Sequence, residues 1–167
     1  MLFRSHLTEH DIGYFNTQCH VRPPLRGLRD RDALRAALKS GVVSAICSDH
    51  QPHEPDAKLA PFAESEPGIS GLETLLPLTL KLVDEKLMSL SEAIALLTAH
   101  PAQILGVECG SLSVGAPADI CIFDPKAFWA VTPQTLRSQG KNSPFLRREL
   151  EGRVTHTIVN GKLVFQA

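Results

Sequence analysis

The chain has 167 residues, and 17 Lys and Arg against 18 Asp and Glu leave a net charge of −1. So balanced a composition gives no electrostatic case for nucleic acid or an anionic membrane surface. Hydrophobic residues at 43% and charged residues at 21% are ordinary for a globular domain, and no apolar run approaches the roughly 18 residues of a membrane span.

The first residues, Met1-Leu2-Phe3-Arg4-Ser5-His6, lack the apolar core of a signal peptide. Arg22-Pro23-Pro24-Leu25-Arg26 precedes a helix that Arg29-Asp30-Arg31-Asp32 opens. That helix runs through Ala33, Leu34, Ala37 and Leu38 to a C-cap expected at Gly41. Val42-Val43-Ser44-Ala45-Ile46-Cys47 follows as a predicted buried strand, because small and β-branched apolar residues run without interruption. Ser48-Asp49-His50-Gln51-Pro52-His53 comes straight after it. A carboxylate at the C-terminal end of a strand is where barrel enzymes keep their chemistry. An Asp with a His four residues on suits metal binding or acid–base work. Such an Asp also commonly caps the next turn, so the pair alone decides nothing.

Pro52, Pro55, Pro61 and the adjoining Pro67 predict an irregular loop over Gln51 to Glu66, long enough to suggest function. A helix is predicted from about Ile69 to Glu85, with Leu72, Leu75, Leu76, Thr79, Leu82 and Val83 on one face. Ser89-Leu90-Ser91-Glu92 reads as a capping box opening the next helix. Pro101 to Gly106 reads as a short final one, with Pro101 at its first position. Beyond Gly110 the texture turns to strands. Ile120-Cys121-Ile122-Phe123 is one, and Arg153–Val159 pairs with Lys162–Phe165 across an Asn160-Gly161 hairpin turn. Cys19, Cys47, Cys109 and Cys121 show no Cys-x-x-Cys spacing. They are expected as buried thiols of a reducing, cytoplasmic compartment rather than as a zinc cluster.

Taken in order, Arg22–Arg26, Asp49–His53, Asp56-Ala57-Lys58, Pro61-Phe62, Glu66–Thr74 and Gly140-Lys141-Asn142-Ser143-Pro144-Phe145 form a recognisable set. The set resembles the C-terminal half of bacterial dihydroorotases of the amidohydrolase superfamily, from about Leu7 to Val164. The resemblance implies an α/β fold: the C-terminal part of an amidohydrolase (β/α)8 barrel followed by a small β segment. Residues 1–109 would then supply the last βα units, and residues 110–167 the β segment of a small sandwich-like domain. A complete barrel takes roughly 250 residues, so this chain is expected to hold only part of one. No His-x-His pair occurs, and the family's last metal-binding His would fall near Phe3 or Arg4. The chain therefore reads as truncated, with Met1 just past that ligand.

The same resemblance implies site roles. Asp49 would contact a zinc ion and serve as general base and then general acid. His53 would bind the substrate carboxylate, and the backbone of Pro67 and Gly68 would touch the pyrimidine ring. Arg22 stands where many dihydroorotases carry a substrate-binding Asn; a guanidinium there could bind a carboxylate or simply pair structurally. His6, His10, His20, His100 and His156 lack mutual metal-ligand spacing.

The implied reaction is zinc-dependent, reversible hydrolysis of dihydroorotate to N-carbamoyl-L-aspartate in pyrimidine biosynthesis, with the fragment itself expected to be inactive. The alternative is a non-catalytic dihydroorotase-like subunit supporting aspartate carbamoyltransferase assembly. A hydantoinase or allantoinase matches the Asp49–His53 and Pro67–Gly71 motifs less well. Expected partners are the small-molecule substrate, the carbamoyltransferase, a separately encoded N-terminal half or a second copy, and neither nucleic acid nor membrane.

Overall fold

A computed structural model describes all 167 residues as mixed α/β, with four helices before an open three-stranded sheet. The helices are α1 (Leu28–Lys39), α2 (Leu72–Asp84), α3 (Leu90–Ala95) and α4 (Ala99–Leu105). The strands are β1 (Ile120–Ala130), β2 (Glu149–Val159) and β3 (Lys162–Gln166), paired antiparallel in that order.

Local chemistry sets several of these boundaries. Asp30 in the first turn of α1 and Lys39 in its last complement the helix dipole. The helix ends at Ser40, and Gly41 takes φ +75° one residue later. In α3, Ser89 Oγ accepts from the Glu92 N–H while Glu92 Oε2 accepts from the Ser89 N–H, completing the expected capping box. Asn160 and Gly161 adopt φ +49° and +75° between β2 and β3, as a two-residue hairpin turn requires.

Four expectations are corrected. Residues 42–47 form no hydrogen-bonded strand. Ile46 donates to Leu96 O, and Cys47 O accepts from Leu2, each at 2.9 Å. These are single bonds to two separate segments. A parallel strand is defined by its neighbours, and this chain supplies none beyond one parallel bridge between His50 and Ile69. The loop after Gln51 is not wholly irregular, because Pro55–Lys58 winds into a 3-10 turn. Pro101 sits inside α4, which begins at Ala99. Of the four cysteines only Cys19 is buried, and all four are free thiols.

Helix α2 also departs from its expected face. It starts at Leu72, since Ile69 is engaged with His50 and the Ser70 N–H donates to Asn142 O at 2.8 Å. Leu72 is exposed, whereas Thr74, Pro77, Leu78, Thr79, Leu80 and Leu82 are buried. The helix packs on two sides. Leu78 and Leu82 enter the main core, while Pro77 and Leu80 lie beneath Gly152 of β2.

One core gathers Leu2, Phe3, Leu7, Leu25, Ile46 and Ile69 with Val131, Leu136 and Phe145. Segment 131–146 thus returns from β1 to the helical part before β2 begins. That return carries the Gly140–Phe145 motif to the end of the 42–47 stretch.

Candidate active site

Asp49 takes φ +50°, a left-handed conformation that Asp tolerates better than most residues. The chain turns sharply there. His50 then bridges Ile69, and the Gln51 N–H donates to Ile69 O at 2.9 Å. Two stretches that are about twenty residues apart in sequence, Asp49–His53 and Pro67–Gly71, are thereby laid side by side.

The two loop histidines have different partners. Gly71 N–H donates to His50 Nδ1 at 3.1 Å, which leaves Nε2 to carry the proton, 3.4 Å from Ser138 Oγ. Ser138 N–H in turn donates to Glu73 Oε1 at 2.6 Å. His50 is therefore committed to the scaffold. His53 directs Nε2 at Pro67 O, 3.0 Å away, and a carbonyl only accepts, so this nitrogen bears the proton. Its Nδ1 remains for a ligand. Gly68, at φ +144°, donates from its N–H to His20 O at 2.8 Å. A Cβ at Gly68 would lie 2.6 Å from Gln51 Cβ and 2.9 Å from His53 Nε2. Only glycine lets the two stretches approach so closely.

The structure thus brings Asp49, His53, Pro67 and Gly68 into one neighbourhood. Arg22 is exposed on its loop and makes no hydrogen bond or ion pair to any of them; its charge acts on His20. Lys58, only 5% exposed, ties the proline-rich loop by donating to Glu66 O at 2.5 Å, and burial lowers its pKa. A cavity of about 260 Å³ beside His53 is lined also by Lys58, Lys141 and Asn142. A cleft of about 570 Å³ opens instead between α2 and the sheet and includes neither Asp49 nor His53.

Two residues of the site were missed as functional in the sequence. Arg4 lies where the family resemblance anticipates a metal-binding His. Its guanidinium donates from Nη1 to Pro24 O at 2.8 Å and from Nη2 to Pro23 O. Burial lowers its pKa, and the nearby Asp49 carboxylate works in the opposite direction. Asn142, 4% exposed, bonds to both halves of the loop pair. The motif around Asn142 and the anticipated ligand position at Arg4 were the available signals.

A zinc ion needs three or four protein ligands, and nowhere in this chain do three His, Cys, Asp or Glu side chains converge. The half-buried Arg4 guanidinium, close enough to feel the Asp49 charge, further disfavours a second positive charge there. The donors of this chain alone do not fit the metal.

The architecture is a mixed α/β fragment with an open sheet, with a carboxylate and an imidazole on adjoining loops. Residues 19–164 match the amidohydrolase family, and the chain belongs to that family, whose members generally bind metal. The chain is 49% identical over 160 residues to a Pseudomonas putida protein named "Dihydroorotase-like protein", covering 96% of this chain and 38% of that one. It is 43% identical over 161 residues to a dihydroorotase of Geobacter sp. (strain M21), with the same coverage. The L-hydantoinase (dihydropyrimidinase) structure from Arthrobacter aurescens superimposes with a TM-score of 0.90 at 28% identity, over 99% of this chain and 38% of that one. The chain thus spans well under half the length of the relatives it matches.

Proposed function

We propose that the chain is the C-terminal part of a dihydroorotase-type cyclic amide hydrolase, acting on dihydroorotate and N-carbamoyl-L-aspartate in pyrimidine biosynthesis in the cytoplasm. The observation that carries this reading is the neighbourhood of Asp49, His53 and Gly68. Asp49 takes a proton from the attacking water and returns it to the ring nitrogen as the amide C–N bond breaks. His53, protonated on both nitrogens, keeps Nε2–H on Pro67 O and offers Nδ1–H to the substrate carboxylate. The backbone at Pro67 and Gly68 lies against the ring. Residues 1–109 belong to the barrel side of the whole protein, and residues 110–167 to its small β domain. Because this chain's donors do not fit zinc, the isolated 167 residues are expected to bind it weakly and to show no turnover.

A second reading is favoured by Arg4 beside Asp49 and by the name of the Pseudomonas putida relative. In it the protein is a non-catalytic dihydroorotase-like subunit that supports aspartate carbamoyltransferase assembly.

The test uses the full-length protein that contains this chain. Dihydroorotate turnover that Asp49→Asn abolishes, with the fold preserved, supports the first reading. Normal rates in Asp49→Asn would sink it. Absence of turnover together with co-elution with the carbamoyltransferase selects the second. Zinc-dependent turnover by the 167 residues alone would show that the site is complete without further chain.

A further inference from the structure

We propose that Asn142 is the positioning residue of this site, holding the His53 loop and the Gly68 loop at a fixed separation. Its carboxamide joins three backbone groups that lie 74 to 91 residues away from it in sequence, on two loops. Oδ1 accepts from the His53 N–H at 2.7 Å, and Nδ2 donates to Gln51 O at 2.9 Å and Gly68 O at 3.1 Å. The Asn142 main-chain oxygen adds a fourth tie, accepting from the Ser70 N–H at 2.8 Å. Turning the amide over would face NH₂ with an N–H and oxygen with two carbonyls, so one orientation alone satisfies all three partners.

The segment carrying Asn142 is itself anchored. Gly140 brings the backbone so close to the loop that a Cβ there would lie 2.6 Å from His53 N. Lys141 Nζ donates to Leu136 O at 2.6 Å and to Ser138 O. Phe145, 2% exposed, is seated in the core. Asn142 thus transmits the rigidity of the core to two loops that have no sheet to hold them. What it fixes is the span across which His53 Nε2–H reaches Pro67 O, and with it the direction of Nδ1. The consequence for ligand binding rests on the reading of His53 as the carboxylate-binding group; the positioning itself does not.

The test is histidine-selective ¹⁵N and ¹H NMR on the full-length protein that contains this chain, at a pH where histidine is neutral, comparing wild type with Asn142→Asp and Asn142→Ala. Asn142→Asp keeps the acceptor for His53 N–H and loses both donors. In wild type the His53 Hε2 proton is expected to be visible and protected from solvent exchange. Both variants should lose that protection, while the His50 Hε2 proton, bonded to Ser138 away from Asn142, keeps its signal. A folded variant with His53 Hε2 still protected would overturn the proposal. If neither variant folds, the wild-type Asn142 side-chain amide protons decide: slow exchange supports the clamp and fast exchange overturns it. Titration with N-carbamoyl-L-aspartate, carried out at a lower pH where His53 bears a proton on both nitrogens, separates the two claims. Binding weakened about tenfold or more in the folded variants supports both. Wild type that ignores the probe while the variants lose His53 protection supports the clamp and removes the substrate reading.

Discussion

Gly68 is where a single methyl group would be felt most directly. Its φ of +144° is one that L side chains rarely adopt, and a Cβ would overlap Gln51 and crowd His53 Nε2. Gly68→Ala is therefore expected to cost about 2–3 kcal/mol, measured by urea denaturation, and to break the His53–Pro67 bond. His6 sets a different dependence. Burial lowers its pKa to about 4, the cations Arg35 and Lys81 add to that, and the Leu78 backbone partly offsets it. The folded state thus prefers neutral imidazole, and the unfolded chain takes up a proton near pH 6.5. Stability contributed by this group is full above pH 6.5 and lost progressively as pH falls toward 4, by about 3 kcal/mol in total. Urea melts between pH 7 and about pH 4 should show this slope in wild type, and His6→Gln should lack that part of it. The grouping of Asp49, His53 and Gly68 was expected only through the family resemblance that their short motifs carry, since nothing local to either motif says that the two loops meet. Arg4 and Asn142 were not legible as site residues, because both work through backbone carbonyls whose proximity only the fold creates.

At the scale of elements, what proved legible was what neighbouring residues decide for themselves. The Ser89–Glu92 box and the Asn160-Gly161 turn form from adjacent side chains and φ preferences, and both appear as expected. The stretch over 42–47 fails as a strand because no ladder partner is present, whatever its own composition favours. The face of α2 was misjudged because a single apolar stripe presumes one packing partner. This helix has two, and the second is β2. Gly152 makes that contact possible: it takes φ +102°, its carbonyl accepts from Trp129 Nε1 at 3.0 Å, and Leu80 fills the space where a Cβ would stand. Gly152→Ala is expected to lower stability by about 2 kcal/mol or more. Leu80→Ala, which vacates that space, should make the glycine substitution less costly in the double variant than in the single one. Strict additivity of the two losses would rule out the contact as the cause.

For the molecule as a whole, the decisive fact is apolar surface with nothing over it. Val42 is 77% exposed at the start of the stretch that finds no strand neighbour, and Leu59, Leu112, Val114 and Phe128 are also largely exposed. The sheet is open as well, with β1 and β3 as its two edges. Each large apolar side chain left in water forgoes roughly 1.5–3 kcal/mol of burial, and unpaired strand edges invite pairing between chains. In relatives of which this chain matches only 38%, most of the polypeptide lies outside the matched part and is available to cover such surface. The 167 residues alone are therefore expected to self-associate as their concentration rises. Sedimentation velocity over a hundredfold range of concentration checks this, and a monomer throughout would refute it. The contribution of the apolar stretch can be isolated with Val42→Lys. An exposed side chain adds little to the fold, so the substitution should leave the thermal midpoint of dilute protein nearly unchanged. It should nevertheless shift the association to higher concentration, because a charge now stands where a neighbouring chain would pack. A variant that loses stability but associates as before would place the contact elsewhere on the surface.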